Sequence, residues 1–406
     1  MTRPLDLIVF GATGFTGRLV AEYLLATQGA ARELRWALAG RSMDRLAAVR
    51  DQIGVPASLQ LIAADAGNAA AMATLARRAR VVVSTVGPYQ LQGESLLAAC
   101  AAAGTDYVDL CGEPTWMAAM IARHHSAAQA SGARIVFSCG FDSVPFDLGV
   151  LFLQTEARRR FGAALPTVHG LVRVMKGGLS GGTAASLLAT LQAVGRDPAL
   201  ARTMANPFAL TPGFTGPAQP DSDQAQFDSL VPGWTAPFVM ATINTKNVHR
   251  TNALRGHAYG CDFVYTEREF KGDGAAGERS ARSAARATRM QNQLLGFAPT
   301  RALISRFALP QPGHGPSAAQ RESGHYELMF VGQVGDGSVM RATVKGDRDP
   351  GYGSTAKMIG ESALCLLNDV DQLATPGGLW TPGAALGLAL VDRLQARAGL
   401  SFAITA

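Results

Sequence analysis

Leu5-Asp6-Leu7-Ile8-Val9-Phe10-Gly11-Ala12-Thr13-Gly14-Phe15-Thr16-Gly17 is the stretch whose reading decides the fold. Leu5–Phe10 is an apolar run of strand length, and Phe15–Thr27 reads as a helix with Leu19, Val20, Tyr23 and Leu24 on one face. Between them the glycines are spaced GxxGxxG. Gly11 permits a tight turn, Gly14 lets a diphosphate approach the backbone, and Gly17 lets the helix pack closely on the strand. Ala12, Thr13, Phe15 and Thr16 complete a loop whose N–H groups face an anion at the positive end of the helix. A tight strand-to-helix turn without a ligand would use the same glycines, so the case depends on the surrounding sequence.

Downstream, Leu34–Ala39, Leu59–Ala63, Val81–Thr85, Tyr107–Leu110 and Arg134–Phe137 are further strand candidates, each preceded by helix-compatible sequence. Continuous apolar runs alternating with helices are what a parallel sheet covered on both faces requires. The expected architecture is α/β: a Rossmann-type doubly wound parallel sheet over residues 1–146. After Val144 the rhythm changes. Val168–Met175, His257–Thr266, Tyr326–Val334 and Ser338–Val344 look like longer, partly alternating strands, the last two joined by the hairpin signal Gly335-Asp336-Gly337. Residues 147–350 therefore read as an inserted α+β substrate domain, with an apolar helix at Thr183–Val194 and loop-like stretches at Asn206–Pro232 and Pro310–Ser323. From Gly351 the pattern is helical again, at Thr355–Leu367 and Pro382–Ala398. Residues 351–406 are expected to return as C-terminal helices to the first domain.

Composition narrows the function. The 406 residues are 48% hydrophobic and 17% charged, which excludes a disordered chain. The net charge of +6 is spread without a basic run of five, so nucleic-acid binding has no specific support, and mild attraction to anionic ligands or surfaces is allowed. Cys100, Cys111, Cys139, Cys261 and Cys365 are odd in number and scattered, fitting a reduced, cytoplasmic protein rather than a disulfide scaffold. No apolar stretch approaches the ~20 residues of a membrane span. Peripheral membrane contact and homo-oligomer formation stay open.

The ends of the next strands discriminate between cofactors. Where an NAD-binding chain usually carries an acid after its second strand, this one has Ala39-Gly40-Arg41-Ser42. Arg41 can pair with a 2′-phosphate and Ser42 can donate to it, so NADP(H) is expected; a solvated surface arginine is the alternative. Asp65 is placed either to bond the adenine ring or to cap the following helix. Val86, Gly87 and Pro88, after the fourth strand, fall where a nicotinamide would lie. Tyr89 beside them is a candidate proton donor or an aromatic wall.

These motifs resemble a known family. VFGATGFTG, AGR after the second strand and STVGPY after the fourth are similar to the NADP-binding domain of the saccharopine dehydrogenase family, as are GTDYVDLCGE, GDRDPGYGSTAKMIGESALCLL and GGLWTPGAALGLALVDRL. Gly140-Phe141-Asp142-Ser143-Val144-Pro145-Phe146-Asp147 and TPGAALG look nearest to its trans-acting enoyl reductase branch, which assists polyketide synthases. The resemblance implies hydride transfer with NADPH. True saccharopine reductases carry a glycine-rich loop with an acidic residue where GFDSVPFD stands here, and they grip a zwitterionic substrate with many charges. This chain has only Arg173, Lys176, Lys246 and Arg250 in its middle, beside the apolar helix. A small-molecule acyl or lipid-like substrate, carried on a carrier protein or free, suits it better.

Reducing an enoyl group requires a hydride at the β-carbon, stabilisation of the enolate oxygen and a proton for the α-carbon. Candidate catalytic residues are Tyr89 and Ser143, which with the backbone N–H groups of the Cys139–Ser143 turn are donors, and Asp142, which can orient a ribose or substrate hydroxyl, with helix capping near Val144 as its plainer reading. Cys111 lacks an adjacent base, and Glu113 before Pro114 equally suits a helix start. His124 and His125 read as surface residues and His314 as a loop histidine. The seven histidines form no HxH or HExxH cluster, so no metal site is expected, and Leu179-Ser180-Gly181 is not a hydrolase elbow. An imine or amino-acid oxidoreductase and a non-catalytic NADP(H) sensor remain the competing readings.

Overall fold

The computed structural model describes residues 3–28, 34–178, 181–221, 223–296, 300, 315–335 and 337–405. Six strands alternate with helices at the start: β1 (Leu5–Phe10), β2 (Trp36–Gly40), β3 (Gln60–Ala63), β4 (Ala79–Ser84), β5 (Asp106–Asp109) and β6 (Arg134–Val136). Six follow in the middle: β7 (Thr167–Lys176), β8 (Gln226–Asp228), β9 (Gly233–Pro237), β10 (Val264–Gly272), β11 (His325–Gln333) and β12 (Val339–Gly346). Two come later, β13 (Gly378–Trp380) and β14 (Leu400–Thr405).

The first sheet runs β13-β6-β5-β4-β1-β2-β3, and every pairing is parallel. This is the expected doubly wound plan with one added edge strand. All six residues of β1 are buried, which explains why its apolar run shows no alternation. Strand order reverses between β1 and β4. Phe10 pairs with both Ala39 and Ser84, so the C-terminal ends of β2, β1 and β4 lie level and open one crevice.

The second sheet runs β14-β12-β11-β7-β10-β9-β8; β7 and β10 are parallel and the other neighbours antiparallel. The β11–β12 hairpin forms as expected, with the Val334 N–H donating to the Ser338 carbonyl at 3.0 Å; Asp336 lies outside the described residues. The strand expected at His257–Thr266 starts only at Val264. Its first half is a turn, because the Asn252 side chain accepts from the Tyr259 N–H and donates to the Gly260 carbonyl. Pro382–Ala398 is not one helix: it breaks between Ala385 and Gly387, where Gly387 has φ 56°. Within the loop-like stretches, β8 and the short helix Ala318–Ser323 are ordered elements.

The segment after Gly351 serves both sheets. Helix Thr355–Asn368 packs on helix Phe15–Gln28 and on β4 and β5, β13 extends the first sheet, and β14 pairs with β12 in the second. Two polar ties fix the return. The Arg134 guanidinium binds the Asp106 carboxylate and donates to the Val370 and Leu366 carbonyls at 2.6 and 2.8 Å. Glu361, fully buried, accepts from the Tyr23 hydroxyl at 2.6 Å and pairs with Arg393 at 2.7 Å. One apolar cluster runs from Leu7 and Val81 through Met358 and Ile359 to Phe330 and Val344, so the same core backs one face of the first sheet and the second sheet. A separate cluster with Ile8, Phe10, Val82 and Leu97 covers the other face of the first sheet. Among the described residues no helix is long and apolar enough to cross a membrane.

Candidate active site

The glycine loop sits at the strand-order reversal. Gly11 has φ 90°, and a Cβ there would meet Thr85 Oγ1 and Val86 Cγ2 at 2.7 Å. A Cβ on Gly17 would lie 2.2 Å from the Gly11 carbonyl oxygen, so only glycine lets the helix start this close to the strand. The Thr85 hydroxyl donates to the Phe10 and Gly11 carbonyls at 3.1 and 3.3 Å, locking the turn to the end of β4. Gly14 is exposed at the mouth, and the first-turn N–H groups of the helix have no intrahelical acceptor. The cradle fits a diphosphate.

Arg41 follows β2, is exposed, and makes no ion pair among the described residues. Ser42 caps helix Met43–Ile53 by accepting from the Arg45 N–H at 3.3 Å, which leaves its own hydroxyl hydrogen available. Asp65 does not cap the next helix. Asn68 does, accepting from the Ala71 N–H at 3.0 Å, while Asp65 Oδ1 takes the Gly67 N–H and the carboxyl stays exposed. Val86, Gly87 and Pro88 line the crevice edge beside the loop.

Tyr89 is not placed to deliver a proton. It is 5% exposed; its hydroxyl donates to the Ser84 carbonyl and accepts from the Leu110 N–H, both at 3.1 Å. Burial pushes its pKa well above the ordinary value, and its ring packs on Trp116. Tyr89 instead ties the ends of β4 and β5. Glu113 secures the same corner: its two carboxylate oxygens accept the Tyr89 and Gln90 N–H groups at 2.9 and 2.8 Å. Cys111 is buried and its thiol pKa is pushed up, so it stays protonated and inert. His125 is no free surface group, since its Nδ1 accepts from the Leu379 N–H at 3.1 Å. Ser180 and His314 lie outside the described residues.

Across the crevice, Cys139–Ser143 forms a tight turn after β6. The Phe141 N–H donates to Thr355 Oγ1 at 2.9 Å, and the Phe141 ring packs on Tyr326 of β11, anchoring the turn to both units. Ser143, rather than Asp142, occupies the N-cap of helix Val144–Phe161. Ser143 is fully buried and its Oγ accepts from Asn247 Nδ2 at 2.8 Å. The Asp142 carboxyl has a buried oxygen, Oδ1, with no partner among the described residues. Desolvation raises its pKa to about 7. Glu267 on β10 is buried nearby, accepting from Asn244 Nδ2 at 2.6 Å and the Tyr265 hydroxyl at 3.0 Å; desolvation raises it to about 8.

Three features escaped sequence reasoning. Helix Ala241–Leu254 buries Asn244, Lys246, Asn247, His249, Arg250 and Thr251, a polar set that hides the usual apolar period. Its Arg250 donates to the Leu210 and Leu379 carbonyls, and burial lowers the Lys246 pKa to about 8. Second, helix Gly181–Val194 reaches over the crevice: Thr183 Oγ1 lies 2.8 Å from the Tyr352 hydroxyl, Ser186 Oγ sits 3.4 Å from where a Gly87 Cβ would be, and Thr190 Oγ1 accepts from Gln90 at 3.2 Å. Third, Arg321 stands over the Phe15 ring at 5.6 Å, beside the glycine loop, and Tyr352 meets the same ring edge-on. Among the described residues no three His, Cys, Asp or Glu side chains converge as a metal site needs.

A parallel sheet with a glycine cradle at its order reversal defines a dinucleotide-binding fold. Residues 7–136 match the saccharopine dehydrogenase NADP-binding domain, so the cofactor is NADP(H). A Mycobacterium tuberculosis chain that carries the trans-acting enoyl reductase name provisionally is 42% identical over 424 residues, covering 99% of this chain and 98% of its own. A trans-acting enoyl reductase of Mycobacterium ulcerans is 38% identical, covering 97% and 96%. Apo saccharopine dehydrogenase (L-Glu forming) from Saccharomyces cerevisiae shares the fold, with a TM-score of 0.53 over 99% of this chain and all of its own at 13% identity. The chain belongs to the saccharopine dehydrogenase-like oxidoreductases, in the trans-acting enoyl reductase branch.

Proposed function

We propose that the protein uses NADPH to reduce a carbon–carbon double bond in an acyl or lipid-like chain, presented by a carrier protein. The observation that carries this reading is the apolar helix Gly181–Val194 lying across the crevice beside Gly87, with Leu187, Leu188 and Leu191 along it and no charged residue in its sequence. Such a cover suits a hydrocarbon and offers nothing to a zwitterion.

When bound, NADPH supplies the hydride. The Gly11–Gly17 loop, with Ala12, Thr13, Gly14, Phe15 and Thr16 forming the cradle and Arg321 beside it, would hold the cofactor's diphosphate on its backbone N–H groups. Arg41 and Ser42 would hold the 2′-phosphate, and Asp65 would meet the adenine. Val86, Gly87 and Pro88 would line the nicotinamide end. Asp142 is the group that meets substrate. With a pKa of about 7 its carboxyl keeps a proton in a large fraction of molecules at neutral pH and donates it to the α-carbon of the enolate, leaving a carboxylate that takes a proton back from water before the next turnover. Ser143, buried and bonded to Asn247 and to the Ser138 carbonyl, holds the turn that carries Asp142 rather than touching substrate.

The test is NADPH oxidation, followed at the nicotinamide absorbance, with crotonyl- and longer enoyl-thioesters set beside a cyclic imine. Turnover of the enoyl series is expected. Reduction of the imine alone, or cofactor binding by calorimetry without any turnover, would overturn the reading.

A further inference from the structure

Helix Gly274–Gly296 has no part in the crevice, and its charge is unexplained by folding. It buries Gly277, Ala281, Ala285 and Leu295 and packs on β9 and β10. The helical period then turns Arg279, Arg282, Arg286 and Arg289 outward, at steps of three, four and three residues along one face. All four are exposed. The helix has one acid, Glu278, which pairs with Arg282 at 2.7 Å; Arg282 also lies over Trp234. Arg279, Arg286 and Arg289 form no ion pair among the described residues. Met290, 61% exposed, and Leu294, 41% exposed, continue beyond the last arginine.

Like charges three and four residues apart destabilise a helix by about 0.2–0.5 kcal/mol per pair. A solvated surface helix normally intersperses acids to offset this, and this one does not. The row spans about 15 Å, three turns, on a helix held rigidly by a sheet. Its spacing matches acids repeated at three and four residues on a facing helix. The apolar stripe that a membrane would need is already packed on β9 and β10, and a nucleic acid would call for basic surface extending past a single row.

We propose that the outward face of helix Gly274–Gly296 is a docking surface for an acidic helix of the carrier protein that presents the acyl chain. The identity of the partner rests on the function proposed above; the charge complementarity is independent of it. Guanidinium forks meet the partner's carboxylates, and Met290 and Leu294 close the end of the contact.

Binding of a purified, acidic, crotonylated acyl carrier protein, read by fluorescence anisotropy, tests this without relying on turnover. The combined variant Arg279→Glu, Arg286→Glu and Arg289→Glu should raise Kd at least about tenfold, and the wild-type Kd should weaken as salt rises from about 50 to about 500 mM. The same three positions changed to Gln give the control for folding, with a smaller rise in the same direction. Unchanged reduction of free crotonyl-pantetheine by both variants separates docking from chemistry. If wild type reduces no enoyl thioester, the proposed reaction fails, while carrier binding still judges the surface. A carrier Kd equal in wild type and variants, no carrier binding at all, or loss only of binding to anionic vesicles or to duplex DNA would overturn the docking proposal.

Discussion

Asp142→Asn keeps the shape of the side chain and removes its ability to ionise. In the folded protein the carboxyl titrates at about 7, against about 3.9 in an unfolded chain. The folded state therefore holds the proton more tightly, and this residue's contribution to stability falls as pH rises from about 4 to about 7. Asparagine does not titrate, so its advantage over the native residue should be near zero at about pH 3 and about 1.5 kcal/mol at pH 5. It should level off at about 4 kcal/mol from pH 7.5 upward, an upper bound because the side chain is partly exposed. Urea unfolding of both proteins at pH 5 and pH 8 reads the difference, and comparing variant with wild type cancels the buried carboxyls that are not coupled to Asp142; Glu267, which the Asp142 charge pushes up, does not cancel. The same variant should lose most enoyl-thioester turnover while keeping NADPH affinity. A stability gain equal at the two pH values would refute the raised carboxyl, and full activity would remove Asp142 from proton delivery.

Arg41→Ala should weaken NADPH by about 2 kcal/mol, near thirtyfold, and leave NADH almost unchanged; calorimetry giving equal losses would remove the arginine from the 2′-phosphate. Tyr89→Phe strips a buried hydroxyl that donates to Ser84 and accepts from Leu110, so thermal unfolding should show a loss of about 1–3 kcal/mol while kcat stays within a few-fold of wild type. A collapse in kcat with stability intact would restore Tyr89 as the proton donor. Gly17→Ala sets a methyl 2.2 Å from the Gly11 carbonyl oxygen and should abolish NADPH binding by calorimetry, with unfolding at lower urea; normal affinity would show that the loop can relax.

The first sheet was legible because burial on both faces forces short continuous apolar runs, Leu7–Phe10 in β1 and Val81–Val83 in β4. The glycine loop was legible for a different reason: close approach of Gly17 to Gly11 admits no other residue. β13 and β14 were not legible. Gly378–Trp380 is three residues long and owes its strand conformation to β6, more than two hundred positions earlier in the chain. Helix Ala241–Leu254 was hidden because most of its buried side chains are polar, and the bonds three of them make go to groups no local pattern shows: Glu267 for Asn244, Ser143 for Asn247, distant carbonyls for Arg250. Tyr89 was placed at the right corner, yet the direction of its hydroxyl depends on Leu110 and Ser84, which sequence spacing does not orient. The arginines of helix Gly274–Gly296 form no contiguous basic run, because their repeat is helical.

The position of β13 and β14 has a consequence for how the chain matures on the ribosome. Any part of the first sheet that forms before Gly378–Trp380 is made leaves β6 as a bare edge, because β13 is its only neighbour on that side. The second sheet waits longer still, its β12 edge closed only by Leu400–Thr405. During that interval both edges present unpaired N–H and carbonyl groups to neighbouring polysomes. Trigger-type chaperones that shield nascent chains should matter more to the yield of this protein than to one whose sheets close in the order they are translated.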